Sequence, residues 1–348
     1  VSVFTASRAI RGGDGVSPAT VTRVREAARE IGYIPNHVAR ALRGEGTRTF
    51  GVLTANTANR YFATLLQAVT VVARDNDYQV LTSDAVEDGE YRVELESAFV
   101  QTMLRSRVSG VIVTYALAEE NLRVLTQFGI PAVIVDAPSP PGCQQIPFVW
   151  TDNYAGGLLA GEHFGRHGYR RWVLVGHTPT WASRIGRQQG FLAAAAEHGA
   201  DVEVLEGGNT SRSAYRAVSD FLRAKRGSQE MPEAMFATNE LLLHGSLSVL
   251  AENGLRSGTD IAVIGFDDFD WAPLLDPPVT VVDQHITAMG TQAARLLVSI
   301  LEHADSPPSA AVTGGSPEGR SVVLPPQLVI RGSCGCHRAR PHETKPGS

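Results

Sequence analysis

The chain is poor in the features that mark several protein classes. It has three cysteines in 348 residues, Cys143, Cys334 and Cys336, too few for a disulfide framework. No apolar run approaches the ~20 residues a membrane span requires. The run around Val108–Val113 is broken by Ser109 and Gly110. The first residues carry no apolar signal-peptide core, so the expected location is the cytoplasm. There is no Walker loop and no G-x-S-x-G elbow. With 43% hydrophobic, 19% charged and 7% aromatic residues, the composition is globular and excludes a coiled coil, a collagen-like repeat and a disordered chain. The length allows two or three domains, each with its own core.

Charge is unevenly placed. Residues 1–48 carry a net charge of +4, from eight arginines, and the remaining 300 carry −9. A basic head on an acidic body predicts that the head meets a polyanion. Ser2 can cap a helix from Val3 to about Arg11, ended by Gly12-Gly13. Ser17-Pro18 opens a second helix, with Val21, Val24, Ala28 and Ile31 on one face and Gly32 at its close. Tyr33-Ile34-Pro35-Asn36 reads as a turn. A very short helix follows over His37–Arg43, and Glu45-Gly46-Thr47 reads as a linker. Two helices and a turn do not enclose Phe4, Ile10, Val21, Val24 and Ile31, so a further helix is expected upstream.

From Phe50 onward, short apolar runs alternate with helical segments. The runs are Phe50–Leu53, Gln79–Leu81, Gly110–Val113, Ala132–Val135, Trp172–Val175, Val202–Leu205, Ala234–Phe236 and Ile261–Ile264. Repeated βαβ units predict two parallel sheets with helices on both faces. A late segment adds Val279–Val282, a helix over 287–303 and Ser321–Leu324, and is expected to cross between lobes. Ligands of such sheets sit beyond the carboxyl ends of the strands. Polar and aromatic residues follow the apolar runs, and their acids and amides suit a polyhydroxylated ligand.

The head motifs carry a resemblance. Val1-Ser2-Val3-Phe4-Thr5-Ala6-Ser7-Arg8, Val16-Ser17-Pro18-Ala19-Thr20 and Gly32-Tyr33-Ile34-Pro35-Asn36-His37-Val38-Ala39-Arg40-Ala41-Leu42 closely resemble the LacI/GalR (lactose-repressor type) transcription regulators, without gaps. The resemblance implies that the helix starting at Ser2 lies in the major groove. Val3, Phe4 and Arg8 then fall where base edges are read, and Ser2, Thr5 and Ser7 suit phosphate oxygens. Residues 36–43 match a hinge helix that orders on DNA, through Asn36, His37, Ala39 and Arg40, with Leu42 wedged into the minor groove. Phe4 and Ala6 depart from the family's usual choices, so an operator sequence is not carried over.

The likeness continues through the body. Asn59-Arg60-Tyr61-Phe62 resembles N-P-F-F, Arg187-Gln188-Gln189-Gly190-Phe191 resembles R-x-x-G-F, Phe236-Ala237-Thr238-Asn239-Glu240 resembles F-A-x-N-D, and Ile264-Gly265-Phe266-Asp267-Asp268 resembles I-G-F-D-D. It implies an effector site of Tyr61, Phe62, Asp136, Ser183, Arg187, Asn209, Asn239, Asp267 and Gln284. Asn209 stands where many members have an aromatic platform, so ring stacking from that position is not expected.

Other motifs read as structural. Gly156-Gly157-Leu158-Leu159-Ala160-Gly161 lacks the G-x-G-x-x-G spacing and suits close packing of a helix on a sheet. His163 and His167 stand four apart without the acid of H-E-x-x-H and read as surface groups. Cys334-Gly335-Cys336-His337 could clip a soft metal, but nothing in the surrounding tail completes it, so no metal site is expected. Asp267, Asp268 and Asp270 suit a ligand hydroxyl and a helix cap better than a cation.

The sequence therefore predicts an α/β fold: a two-lobed, periplasmic-binding-protein-like body of parallel sheets behind a small all-α helix-turn-helix head. The expected divisions are a head over 1–48, a body over 49–332 and a flexible tail over 333–348. Lobe 1 is expected at about 49–148 plus 287–312, and lobe 2 at about 149–283 plus 313–332. The expected function is a nucleoid-associated repressor, not an enzyme, without cofactor. As a homodimer it would bind a near-palindromic operator under control of a sugar-like small-molecule effector. The tail after Gly332 has no heptads for a helical tetramerisation element. The alternative is a solute-binding protein of the sugar-transport type.

Overall fold

The computed structural model describes residues 1–11, 15–33, 47–57, 59–87, 90–177, 181–228, 230–304 and 321–336. The chain divides into two compact units, Val1–Thr47 and Arg48–Ser348. The hinge helix expected over 36–43, with Asn36, His37, Ala39, Arg40 and Leu42, lies outside the described residues.

In the first unit, α1 (Val3–Arg11) packs on α2 (Pro18–Glu30). The Ser2 hydroxyl accepts from the Thr5 backbone N–H at 3.1 Å, an N-cap that starts α1. Ser17 precedes α2 with extended backbone, and Pro18 fills its first helical position. Gly32, at φ +65°, takes the left-handed conformation just past α2. Among the described residues of this unit, Ala9 and Val24 are the buried apolar ones, while Val3, Phe4 and Ile31 are exposed.

The second unit holds two six-stranded sheets. The first has the order β13-β7-β6-β5-β1-β2, all parallel. Its strands are β1 (Thr49–Thr54), β2 (Gln79–Asp84), β5 (Gly110–Val113), β6 (Ala132–Val135), β7 (Phe148–Thr151) and β13 (Val322–Leu324). The second has the order β14-β12-β11-β10-β8-β9. Its strands are β8 (Arg171–His177), β9 (Asp201–Gly207), β10 (Ala234–Ala237), β11 (Ala262–Phe266), β12 (Thr280–Asp283) and β14 (Gln327–Val329). Only β14 is antiparallel to its neighbour there. Strands β5, β6 and β10 are buried at every residue, as parallel strands covered on both faces must be.

Helices α3 (Arg60–Asp75), α4 (Val93–Ser106) and α5 (Glu119–Gln127) belong to the first sheet, and α10 (Ile286–Ala304) returns to it to pack on α3. Ile286, Met289, Ala293 and Leu297 join that sheet's core. Helices α6 (Asn153–Arg166), α7 (Ala182–His198), α8 (Ser211–Lys225) and α9 (Glu240–Glu252) cover the second sheet. The chain passes between the lobes after β7, after β12 and between β13 and β14.

The glycine-rich segment of α6 does pack on a sheet, but also on a helix. A Cβ on Gly156 would meet the Phe266 ring at 2.8 Å, while one on Gly157 would lie 2.0 Å from the Arg187 carbonyl oxygen in α7. Reciprocally, a Cβ on Gly190 would lie 2.0 Å from the Tyr154 carbonyl oxygen. Backbones meet here without side chains between them, which fixes where α7 carries its polar residues.

Three expectations need correction. β7 and β13 lie in the first sheet, although 149–151 and 313–332 were assigned to lobe 2. Both are short strands beside a crossing, where hydrophobic pattern does not say which sheet receives them. The β3–β4 hairpin (Val86–Glu87 and Glu90–Tyr91) and β14 also carry no clear apolar run. Finally, Ser333–Cys336 is not a flexible tail. The Ser333 hydroxyl accepts from the Thr280 N–H at 2.8 Å and donates to the Val263 carbonyl at 2.7 Å, and the Val263 N–H donates to the Ser333 carbonyl at 2.7 Å. These bonds satisfy backbone groups at the ends of buried strands.

Candidate functional site

A cleft of about 570 Å³ opens between the lobes of the second unit, a volume suited to a small ligand. All nine body residues singled out in the sequence line it: Tyr61, Phe62, Asp136, Ser183, Arg187, Asn209, Asn239, Asp267 and Gln284. The topology explains the convergence. Tyr61 and Phe62 occupy the first turn of α3, whose N-cap Asn59 accepts from the Tyr61 N–H at 3.0 Å. Asp136 follows β6, Asn239 follows β10, Asp267 follows β11 and Gln284 follows β12. Ser183 and Arg187 lie four apart on α7 and so share a face.

Arg187 is the organising group. It is buried, and its guanidinium lies 3.6 Å from the Phe266 ring centroid. Nε donates to Asn153 Oδ1 at 2.7 Å, Nη1 to the Thr238 carbonyl at 2.8 Å and Nη2 to Gln284 Oε1 at 3.4 Å. Asn153 and Gln284 stand at the first and second crossings between lobes. Asn153 donates back to the Thr151 carbonyl at 2.9 Å, and the Thr151 hydroxyl donates to the Gln284 carbonyl at 2.9 Å. Gln284 Nε2 in turn donates to Asp267 Oδ1. One guanidinium thus holds two of the three crossing segments and, through Gln284, one carboxylate.

Two acids flank it. Burial pushes the Asp136 carboxyl up to about 6, partly offset by Arg187. Asp267 is pushed up to about 6 by burial in the same way. Ser183 and Arg187 both act to lower the Asp136 carboxyl against that burial, yet Asp136 Oδ1 is buried without a hydrogen-bond partner, as is the Tyr61 hydroxyl. Burial, and then Asp136 and Asp267, hold the Tyr61 phenol well above its usual range. Unpaired buried polar atoms are uncommon and point to a missing partner.

Asn239 caps α9 by accepting from the Leu242 N–H at 2.9 Å and donates to Asn209 Oδ1 at 2.7 Å. Asn209 therefore offers an amide where stacking was not expected. Aromatic surface comes instead from Trp181, which lines the cleft and stacks on Tyr115 at 5.5 Å between centroids. Arg184, whose pKa burial lowers to about 10, lies over Trp181 at 4.8 Å. Trp181, Arg184, Asn56 and Tyr91 line the cleft as well, beyond the nine expected residues. Trp181 and Arg184 stand within a turn of Ser183 and Arg187, which was the available signal.

In the first unit, Ser2, Val3, Phe4, Thr5, Ser7 and Arg8 lie on or immediately before α1. Phe4 is 68% exposed, and the Arg8 guanidinium lies 5.6 Å from its ring centroid. The Ser2 and Thr5 hydroxyls share a 2.9 Å hydrogen bond. The outward face of α1 is thus apolar and cationic together.

Residues 1–36 match the family described as bacterial regulatory proteins, lacI family, and residues 162–334 match the periplasmic binding protein-like domain. The HTH-type transcriptional repressor PurR of Pasteurella multocida (strain Pm70) is 26% identical over 338 residues, covering 96% of this chain and 95% of that protein. The structure of the lac repressor dimer bound to operator and the anti-inducer ONPF has a TM-score of 0.79 and 26% identity, with 96% of each chain covered. The transcriptional regulator CelR–cellobiose complex gives a TM-score of 0.68 at 26% identity, again over 96% of each chain. Fold and site define a regulator with a helix-turn-helix head and a two-lobed, periplasmic-binding-protein-like body. The chain belongs to the LacI family of bacterial transcription regulators. Among the described residues, no helix is long and apolar enough to cross a membrane.

Proposed function

We propose that this chain is a repressor whose affinity for operator DNA is set by a small polyhydroxylated molecule, a sugar or sugar derivative, bound in the cleft. The observation that carries this is the pair of unpartnered buried oxygens, Asp136 Oδ1 and the Tyr61 hydroxyl, in a cleft that also presents Asp267 and Arg187. Ligand hydroxyls donate to the carboxylates, Arg187 and Asn239 donate to ligand oxygens, and Trp181 provides an apolar wall. The operator-bound dimer and the cellobiose complex among its structural relatives support this reading.

Control follows from differential affinity. Arg187 touches the cleft and holds Asn153 and Gln284, so a ligand that draws on Arg187 or Asp267 acts directly on the segments joining the lobes. In the homodimer, paired heads read a near-palindromic operator, with Val3, Phe4 and Arg8 at base edges and Ser2, Thr5 and Ser7 at phosphates. That work lies on the chromosome, in the cytoplasm. The solute-binding alternative leaves the lacI-family match over residues 1–36 without a use.

The test is a thermal-shift screen of the full chain against sugars, sugar phosphates and nucleosides. A ligand at 100 times its Kd adds about 2.7 kcal/mol to stability. A sugar-class hit abolished in Arg187→Ala supports the reading; hits confined to non-sugar ligands overturn the ligand class.

A further inference from the structure

Away from the cleft, the fold joins two pairs of residues that lie about 170 positions apart. His163 and His167 occupy the C-terminal end of α6, one turn apart and therefore on one face, with ring centroids 4.7 Å apart. Cys334 and Cys336 lie in the segment after β14. Cys336 Sγ is 3.3 Å from His163 Nε2, 3.2 Å from His167 Nε2 and 3.0 Å from Cys334 Sγ. The donor atoms of His163, Cys334 and Cys336 all lie within 4.8 Å of one another. The surface reading is corrected for His163, which is 4% exposed, while His167 is exposed as expected; Cys334 is fully buried.

We infer that His163, His167, Cys334 and Cys336 form a structural metal site for zinc or a similar soft divalent cation. Two thiols and two imidazoles in one cluster are the donor set of closed tetrahedral zinc sites. In such a site donor atoms stand about 3.3–3.8 Å apart, given Zn–S of about 2.3 Å and Zn–N of about 2.0–2.1 Å. The two imidazole contacts to Cys336 therefore need to open by only a few tenths of an ångström, and the sulfur–sulfur contact by about 0.8 Å. His167 touches Cys336 from the exposed side of the cluster and closes it as the fourth donor. Binding displaces one proton from each thiol, and each imidazole donates its Nε2 lone pair.

The surroundings hold the cysteines in register. Gly335, between them, has φ +80°, and a Cβ there would lie 2.3 Å from the Tyr169 hydroxyl. That hydroxyl donates to the Cys334 carbonyl at 3.2 Å, the kind of outer contact that orients metal ligands. The Trp172 indole N–H donates to the Tyr169 carbonyl at 3.0 Å, tying the same turn to β8. The cation would fasten the chain's end to α6, the helix whose first residue, Asn153, holds Arg187.

The test is the metal content of the full chain, purified without chelator and assayed by elemental analysis, then loaded with Co²⁺ alone. The expected result is about one zinc per chain, and after cobalt loading a thiolate-to-metal charge-transfer band with the intense d–d bands of tetrahedral Co²⁺. Cys336→Ser abolishes both signals. His167→Gln, at an exposed position chosen to preserve folding, weakens cobalt binding at least tenfold while the far-ultraviolet circular dichroism is unchanged. Metal at background before and after loading overturns the site. So does equal metal in wild type and both variants, or isolation of Cys334 and Cys336 as a mutual disulfide that reduction does not convert to a metal-binding form.

Discussion

Asp136 and Asp267 occupy equivalent places in the two lobes. Each follows a fully buried strand, each has positive φ, 61° and 78°, and each carboxyl is pushed up to about 6 by burial. A non-glycine residue held in this backbone region signals local strain. Its repetition on both walls of one cleft fits a pair of acids aimed at a shared ligand.

The pair predicts a pH dependence with a definite sign. Folding raises both carboxyls from 3.8 to about 6. Between those values the folded chain binds more protons than the unfolded chain, so ligand-free stability falls as pH rises through about 4 to 6. The loss is on the order of 3 kcal/mol per group and levels off above that window. Ligand affinity should rise through the same window as the carboxylates become acceptors. Asp136→Asn should flatten both trends and weaken binding roughly 10- to 100-fold. Denaturant unfolding and calorimetry across this pH range check these outcomes; ligand affinity that falls with rising pH would contradict the acceptor role.

Arg187→Ala removes the guanidinium that joins two of the crossing segments, one of which holds Asp267. Ligand affinity is expected to drop at least 100-fold, since hydrogen bonds to charged groups contribute about 1.5–3 kcal/mol each. Operator binding should persist while its response to ligand disappears. Ligand affinity unchanged by calorimetry would remove Arg187 from the site.

Gly190 and Gly157 set the contact between α6 and α7. Gly190→Ala forces a methyl group to within 2.0 Å of the Tyr154 carbonyl unless the helices part. The expected loss is about 1–3 kcal/mol of stability, together with weaker ligand binding as Ser183 and Arg187 shift. Urea unfolding measures the first. An alanine variant as stable as the wild type would show that the helices separate freely.

Arg8 offers a separate test of the head. Arg8→Ala should cost about 1–3 kcal/mol at one operator position and relax specificity there. Thr5→Ala should instead weaken binding to all sequences alike. Competition binding against a panel of operator variants distinguishes the two, and uniform weakening by Arg8→Ala would assign that residue to the backbone.

The sequence made the cleft residues legible because each stands just beyond a strand or within a helix's first turns, where parallel-sheet topology makes residues converge. Tyr61, Asp136 and Asp267 are of this kind. It was silent on which sheet received β7 and β13, because three-residue and four-residue strands beside a crossing carry no preference for either lobe. The histidine–cysteine cluster was hidden for a different reason. Its halves were each visible, but it takes tertiary bonds, those of Ser333 to β11 and β12 and of Tyr169 to Cys334, to bring Cys334 and Cys336 onto α6. Trp181 stands in a loop beyond β8 with no motif of its own, so its place as the aromatic wall emerges only from the fold.

Ligand-dependent operator binding tests the central claim most directly. Fluorescence anisotropy of a labelled operator duplex would be followed with the full-length dimer, with and without a saturating ligand from the thermal-shift screen, in wild type and Arg187→Ala. Operator affinity that changes at least tenfold with ligand in the wild type, and not at all in the variant, is the predicted result. Equal operator affinity with and without a ligand that fills the wild-type cleft would contradict it.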